Sequence, residues 1–90
     1  MKQFALCLYT SGSSAKLTAI ATALREALDQ RIDGEYRFDV VDLLDNPALA
    51  EEWCILATPT IVRRFPLPER RIVGDLSSID EVLSLLTEDC

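Results

Sequence analysis

Histidine is absent from this 90-residue chain, glycine occurs three times, and the three cysteines stand far apart. Each scarcity removes a class of chemistry. Without histidine, and with Cys7, Cys54 and Cys90 lacking zinc-ligand spacing, no metal centre is predicted. General acid–base catalysis needs a tuned carboxylate or histidine, and the sequence singles out no carboxylate. Gly12 stands alone, so neither phosphate-cradling glycine pattern occurs. No catalytic residue and no cofactor are expected. Apolar runs fall well short of the ~20 residues that cross a bilayer. Met1-Lys2-Gln3-Phe4-Ala5-Leu6 also lacks the long apolar segment of a signal peptide. The odd, unpatterned cysteines read as free thiols in a reducing cytoplasm.

Positive charge is scarce as well. Nine Lys and Arg face fifteen Asp and Glu, giving a net charge of −6 and a pI near 4.4. A nucleic-acid binder would need a basic face. The one basic cluster is Arg63, Arg64, Arg70 and Arg71. It reads either as a solvated hairpin that protects a sheet edge or as a docking patch for an acidic partner.

Apolar residues make up 49% of the chain, which marks residues 1–90 as one globular domain. A core this small yields about 3–5 kcal/mol of net stability. That leaves room for oligomerisation, or for a second fold of similar energy.

Phe4 to Tyr9 is apolar on both faces, the pattern of a central strand covered on two sides. A capping-rich turn, Thr10-Ser11-Gly12-Ser13-Ser14, follows. Leu17, Ile20, Ala21, Leu24, Ala27 and Leu28 then form one stripe of a helix ending near Ile32, with Gly34 as its stop. Alternation from Tyr36 to about Leu43 predicts a second strand, parallel to the first through a right-handed crossover. Asn46-Pro47 opens a short helix as N-cap and first residue, with Leu49 and Trp53 on one face.

Ile55-Leu56 and Thr60 to Phe65 flank Pro59, which belongs at a strand start. Pro66-Leu67-Pro68-Glu69 is a turn, and Arg71-Ile72-Val73 a return strand ended by Gly74-Asp75. Ser78 to Glu81 has capping-box spacing, and Ile79, Val82, Leu83 and Leu86 make the stripe of a last helix. The order βαβαββα is that of a thioredoxin-like α/β domain.

That topology raises thiol redox chemistry, which needs a low-pKa thiolate at the start of the first helix. Ser11-Gly12-Ser13-Ser14 occupies that place, so nucleophile and resolving thiol are both missing. Cys7 reads as a small core residue, whereas Cys54 precedes the Pro59 turn. Asp39, Asp42 and Asp45 step by three, but no calcium-loop glycine or terminal glutamate follows; they read as a solvated acidic rim. Trp53 has two readings, as an interface anchor or as packing that seats its helix on the sheet.

Taken in order, Leu8-Tyr9, Gly12, Tyr36 with Val40-Val41-Asp42, the block from Asn46-Pro47 to Thr60, and Ile72-Val73-Gly74-Asp75-Leu76-Ser77 resemble the KaiB family. The likeness spans nearly the whole chain. It implies a non-catalytic clock protein that docks on the ATPase ring of KaiC, displaces SasA and helps sequester KaiA. It also implies a second form, dimeric or tetrameric, in which the C-terminal half is rearranged. The implied partner contacts are Leu49, Glu51, Glu52, Trp53, Cys54, Arg63, Arg64, Arg70 and Arg71. Pro59, Pro66, Pro68, Gly74 and Asp75 are the implied hinge between the two forms, since prolyl bonds can lock or release a segment.

The chain departs from the family in places. Trp53-Cys54 replaces an acidic–basic pair whose basic member resembles a KaiC contact, Pro66-Leu67-Pro68 replaces three prolines, and the acidic tail is missing. The end at Cys90, with no kinase attached, points to a stand-alone protein rather than a SasA-type input domain. Two alternative readings are a paralogue outside the clock, with a stress or chaperone-like role, and a thiol sensor working through Cys54.

Overall fold

The computed structural model describes residues 4–12, 14–32, 35–74, 76 and 78–87. The expected helix stop at Gly34, the hinge residue Asp75 and the thiol of Cys90 lie outside them. Strand β1 (Phe4–Thr10), helix α1 (Ala15–Arg31), strand β2 (Tyr36–Asp42), helix α2 (Pro47–Glu52), strands β3 (Thr60–Phe65) and β4 (Arg70–Val73) and helix α3 (Ile79–Thr87) follow in chain order. The sheet order is β2-β1-β3-β4. β1 runs parallel to β2 and antiparallel to β3, and β4 pairs antiparallel with β3.

β1 earns its central place by burying both faces. Phe4, Leu6 and Leu8 point to the side covered by α1 and α3, while Cys7 and Tyr9 point to the other. On the first side the predicted helical stripes are the contact surfaces. Ile20, Leu24 and Leu28 of α1 meet Val82, Leu83 and Leu86 of α3 over Phe38 and Ile61. Each fully buried leucine contributes about 1.5–3 kcal/mol. Ser14 caps α1, its Oγ accepting from Leu17 N at 3.1 Å. Arg31 meets Asp80 at 2.7 Å across α1 and α3, a solvent-washed pair worth little.

The second side is covered more thinly. Trp53 and Ile55, beyond the end of α2, pack with Val41 and Leu43 on Cys7, Tyr9 and Val62. One local expectation changes here. Asn46 stands at the N-cap of α2 but makes no side-chain cap; its Nδ2 donates instead to the Asp42 carbonyl at 3.3 Å. α2 ends in a Schellman turn. Cys54 N donates to Glu51 O at 3.3 Å and Ile55 N to Ala50 O at 2.8 Å, with Cys54 at φ 54° in the left-handed region. Ile55 is thereby tucked under the helix while Leu56 is left 97% exposed.

Pro59 directly precedes β3, where a missing N–H is tolerated. The Thr58–Pro59, Phe65–Pro66 and Leu67–Pro68 bonds are cis. Gly74 follows β4 at φ 105°, a conformation that suits glycine, and its N–H donates to Pro59 O at 3.1 Å.

Candidate interaction surface

The corner where thioredoxin-type chemistry would sit carries no thiol at residues 11, 12 and 14. Asp42 organises it instead. One carboxylate oxygen accepts from Gly12 N and from Leu44 N, both at 2.9 Å, tying the loop after β1 to the loop after β2. Asp42 is therefore a structural acceptor and not part of a solvated rim. Cys7 is buried, and burial raises its thiol above the ordinary range, partly offset by a hydrogen bond with Tyr9. A protonated, sealed thiol is a poor nucleophile. Cys54 is exposed.

The predicted partner residues separate into three groups. Leu49 is half-buried and Glu51 and Glu52 are exposed on α2, forming an outward rim. Trp53 and Arg64 come together on the second side of the sheet, the guanidinium carbon 4.0 Å from the indole centroid. Arg64 Nη2 also donates to the Tyr9 hydroxyl, so the cation is held between two aromatic residues. Trp53 thus does pack its helix end onto the sheet, and it does so with one face turned to an arginine. Cys54 and Arg71 form the third group. Arg71 Nη1 donates to Cys54 O at 3.4 Å and Nε to Glu69 at 3.3 Å. Beside them, Cys54, Leu56, Ala57 and Val73 line a groove of about 200 Å³.

Arg63 departs from both sequence readings of the basic cluster. It is 0% exposed. Its Nη1 donates to Leu86 O at 2.6 Å and its Nη2 to Pro68 O at 2.7 Å. The carbonyls of a helix's last turn have no partner within the helix and carry partial negative charge, which makes the end of α3 a suitable seat for a cation. The side chain is therefore withdrawn from any outer contact face in this conformation. Arg70 is half-buried. The hairpin is not uniformly solvated.

Several residues of this surface carried no sequence signal. Tyr9 reads as ordinary strand, yet it orients Arg64. Phe65 and Leu67 are 56% and 70% exposed, adding apolar surface beside the arginines. A β-bulge explains the arrangement: Leu6 pairs with Arg63 and Ala5 with Phe65, leaving Arg64 as the extra residue of β3. Such bulges re-aim a side chain.

Fold and corner together define a thioredoxin-fold protein whose redox position has been given over to serine and glycine. A model of the KaiB domain matches residues 7–87. The chain is 44% identical over 82 residues to the circadian clock oscillator protein KaiB of Trichodesmium erythraeum, with 91% of this chain and 79% of that one covered. To the KaiB of a strain of Prochlorococcus marinus it is 46% identical, with 91% and 70% covered. The chain belongs to the KaiB family, whose members are non-catalytic regulators; it is not an enzyme.

Among solved structures, the N-terminal domain of Synechococcus elongatus SasA superposes with a TM-score of 0.70 at 15% identity, covering 100% of this chain and 88% of that one. Mitochondrial thioredoxin 3 of Saccharomyces cerevisiae gives 0.67 at 17%, covering 90% and 76%. At these identities the likeness concerns the fold alone. No helix among the described residues is long and apolar enough to cross a membrane.

Proposed function

We infer that this chain is a clock-associated binding protein that docks on a KaiC-type ring ATPase and regulates its phosphorylation cycle. The observation that carries the reading is the 44% identity with circadian clock oscillator proteins across 91% of the chain. The contact face would comprise the α2 rim of Leu49, Glu51 and Glu52, the Trp53–Arg64 pair, Cys54, and Arg70 and Arg71 of β4. KaiA-like and SasA-like proteins are further partners on this reading. A scaffold like that of the SasA domain gives competition for one site on the ring a simple geometric basis.

The same reading includes a second, self-associating form with its C-terminal half rearranged, hinged at Pro59, Pro66, Pro68, Gly74 and Asp75. Beyond its strand pairing and the buried stripe of α3, that half is tied to itself by the Gly74–Pro59 hydrogen bond and by the grip of Arg63 on Leu86 and Pro68. Size-exclusion chromatography with the ring ATPase and ATP, after a day at ambient temperature, tests the docking. Co-elution supports it, and separate elution would remove it.

A further inference from the structure

Three arginines project from the second side of the sheet, one from each of β2, β3 and β4. Arg37 is bonded to Asp39 at 2.8 Å and Arg71 to Glu69 at 3.3 Å. Arg64 meets no carboxylate among the described residues. On this side of the sheet Arg64 thus keeps a charge that no carboxylate offsets, while its two neighbours are paired.

Its surroundings fix it in place. The indole of Trp53 covers one face, the Tyr9 hydroxyl takes Nη2, and Nε is sealed from solvent without an acceptor. Nη1 is neither bonded nor sealed. Stacking and sealing strip water from the cation and restrict its rotamers, so an incoming carboxylate finds a pre-oriented donor edge at reduced entropic cost. Covering Trp53 needs only an aliphatic side chain. The charge is left over from that task.

We propose that Arg64, held on Trp53, is the receptor for an aspartate or glutamate side chain of a partner protein. It would be the specificity-determining contact of this face, with exposed Phe65 beside it. Aromatic and arginine anchors of this kind dominate interface energies, and Nη1, fixed in a planar guanidinium, offers a carboxylate a set donor direction that a flexible lysine ammonium would not reproduce. The assignment of the partner to a KaiC-type ring rests on the function proposed above; the carboxylate receptor itself does not.

Two arms separate these claims. The first uses the fluorescence of Trp53, the single tryptophan, during titration with a capped penta-glutamate peptide, and with penta-glutamine as control. A saturable change seen only with glutamate, and lost in Arg64→Met, is expected. The second measures affinity for the KaiC-type ring in wild type, Arg64→Met and Arg64→Lys, with thermal melts confirming that each variant is folded. Arg64→Met should weaken binding by about tenfold or more, and Arg64→Lys should recover only part of it.

If wild type binds the ring and Arg64→Met binds within about twofold of it, the receptor role is wrong while the docking reading stands. If wild type ignores the ring, the docking reading fails, and the peptide arm decides the receptor alone. A response to glutamate equal to that with glutamine, or one unchanged in Arg64→Met, overturns it.

Discussion

Replacing Arg63 with alanine is the sharpest test of how the C-terminal half is held. The side chain is fully buried and donates to two backbone carbonyls, Leu86 O at the end of α3 and Pro68 O in the β3–β4 turn. Hydrogen bonds from a charged donor contribute about 1.5–3 kcal/mol each, so their gross loss is about 3–6 kcal/mol. Removing a buried cation returns part of this, because its desolvation no longer opposes folding. Alanine, however, leaves both carbonyls short of a donor and opens a void, so the net loss should be about 3 kcal/mol. Against the ~3–5 kcal/mol expected of so small a core, that removes most of the margin.

Urea denaturation followed by circular dichroism and Trp53 fluorescence would read the loss directly. At about 4–8 °C per kcal/mol for a domain of this size, the melting temperature should fall by roughly 12–24 °C. Amide exchange should rise first in the last turn of α3 and in residues 66–69, ahead of the middle of α1. Arg63→Met restores volume without the hydrogen bonds and should recover only part of the loss. A change below about 1 kcal/mol for Arg63→Ala, the size of one ordinary hydrogen bond, would show that the tie is incidental.

Three further outcomes are expected. Cys54→Gly should be neutral or stabilising by up to about 1 kcal/mol, since a left-handed φ costs an L-residue roughly that much; a urea midpoint clearly below wild type would count against the Schellman reading. Gly74→Ala has open space for its Cβ but an unsuitable φ of 105°, so it should destabilise this fold by about 1–2 kcal/mol and shift any balance between forms. An unchanged urea midpoint would contradict the first effect, and NMR spectra with one unchanged population the second. Burial raises the Cys7 thiol and the Tyr9 hydroxyl. The unfolded chain therefore loses these protons first as pH rises, and stability should decline above about pH 8.5. Cys7→Ala should flatten the thiol part of that decline, and in Cys54→Ser/Cys90→Ser a thiol reagent should label Cys7 only at the rate of unfolding.

The element order was legible because its signals are local. The stripes of α1 and α3 needed only three- and four-residue spacing, and both-faced apolarity put β1 at the centre. Pro59 was rightly placed at a strand start, since a lost N–H constrains position strongly. The arginines were not legible in the same way. Reading 63–71 as an edge hairpin treated β3 as solvated, whereas β3 lies between β1 and β4 and is covered on both sides. Alternation did hold a clue: Arg63 shares the face of Ile61, and Arg64 that of Val62 up to the bulge. What alternation cannot show is that the end of α3 stands over Arg63, or that Trp53 folds back across the sheet. The turn that buries Ile55 was hidden for a similar reason, because a left-handed cysteine gives little warning of a turn that usually carries glycine.

Arg63 also sets a condition on any other architecture this polypeptide might be asked to adopt. Peeling the final helix away takes the Leu86 carbonyl from a buried permanent cation, so rearrangement has to supply another acceptor in its place or open the guanidinium to water. One guanidinium thus links the end of the final helix to the turn between the last two strands, and moving either alters the footing of the other.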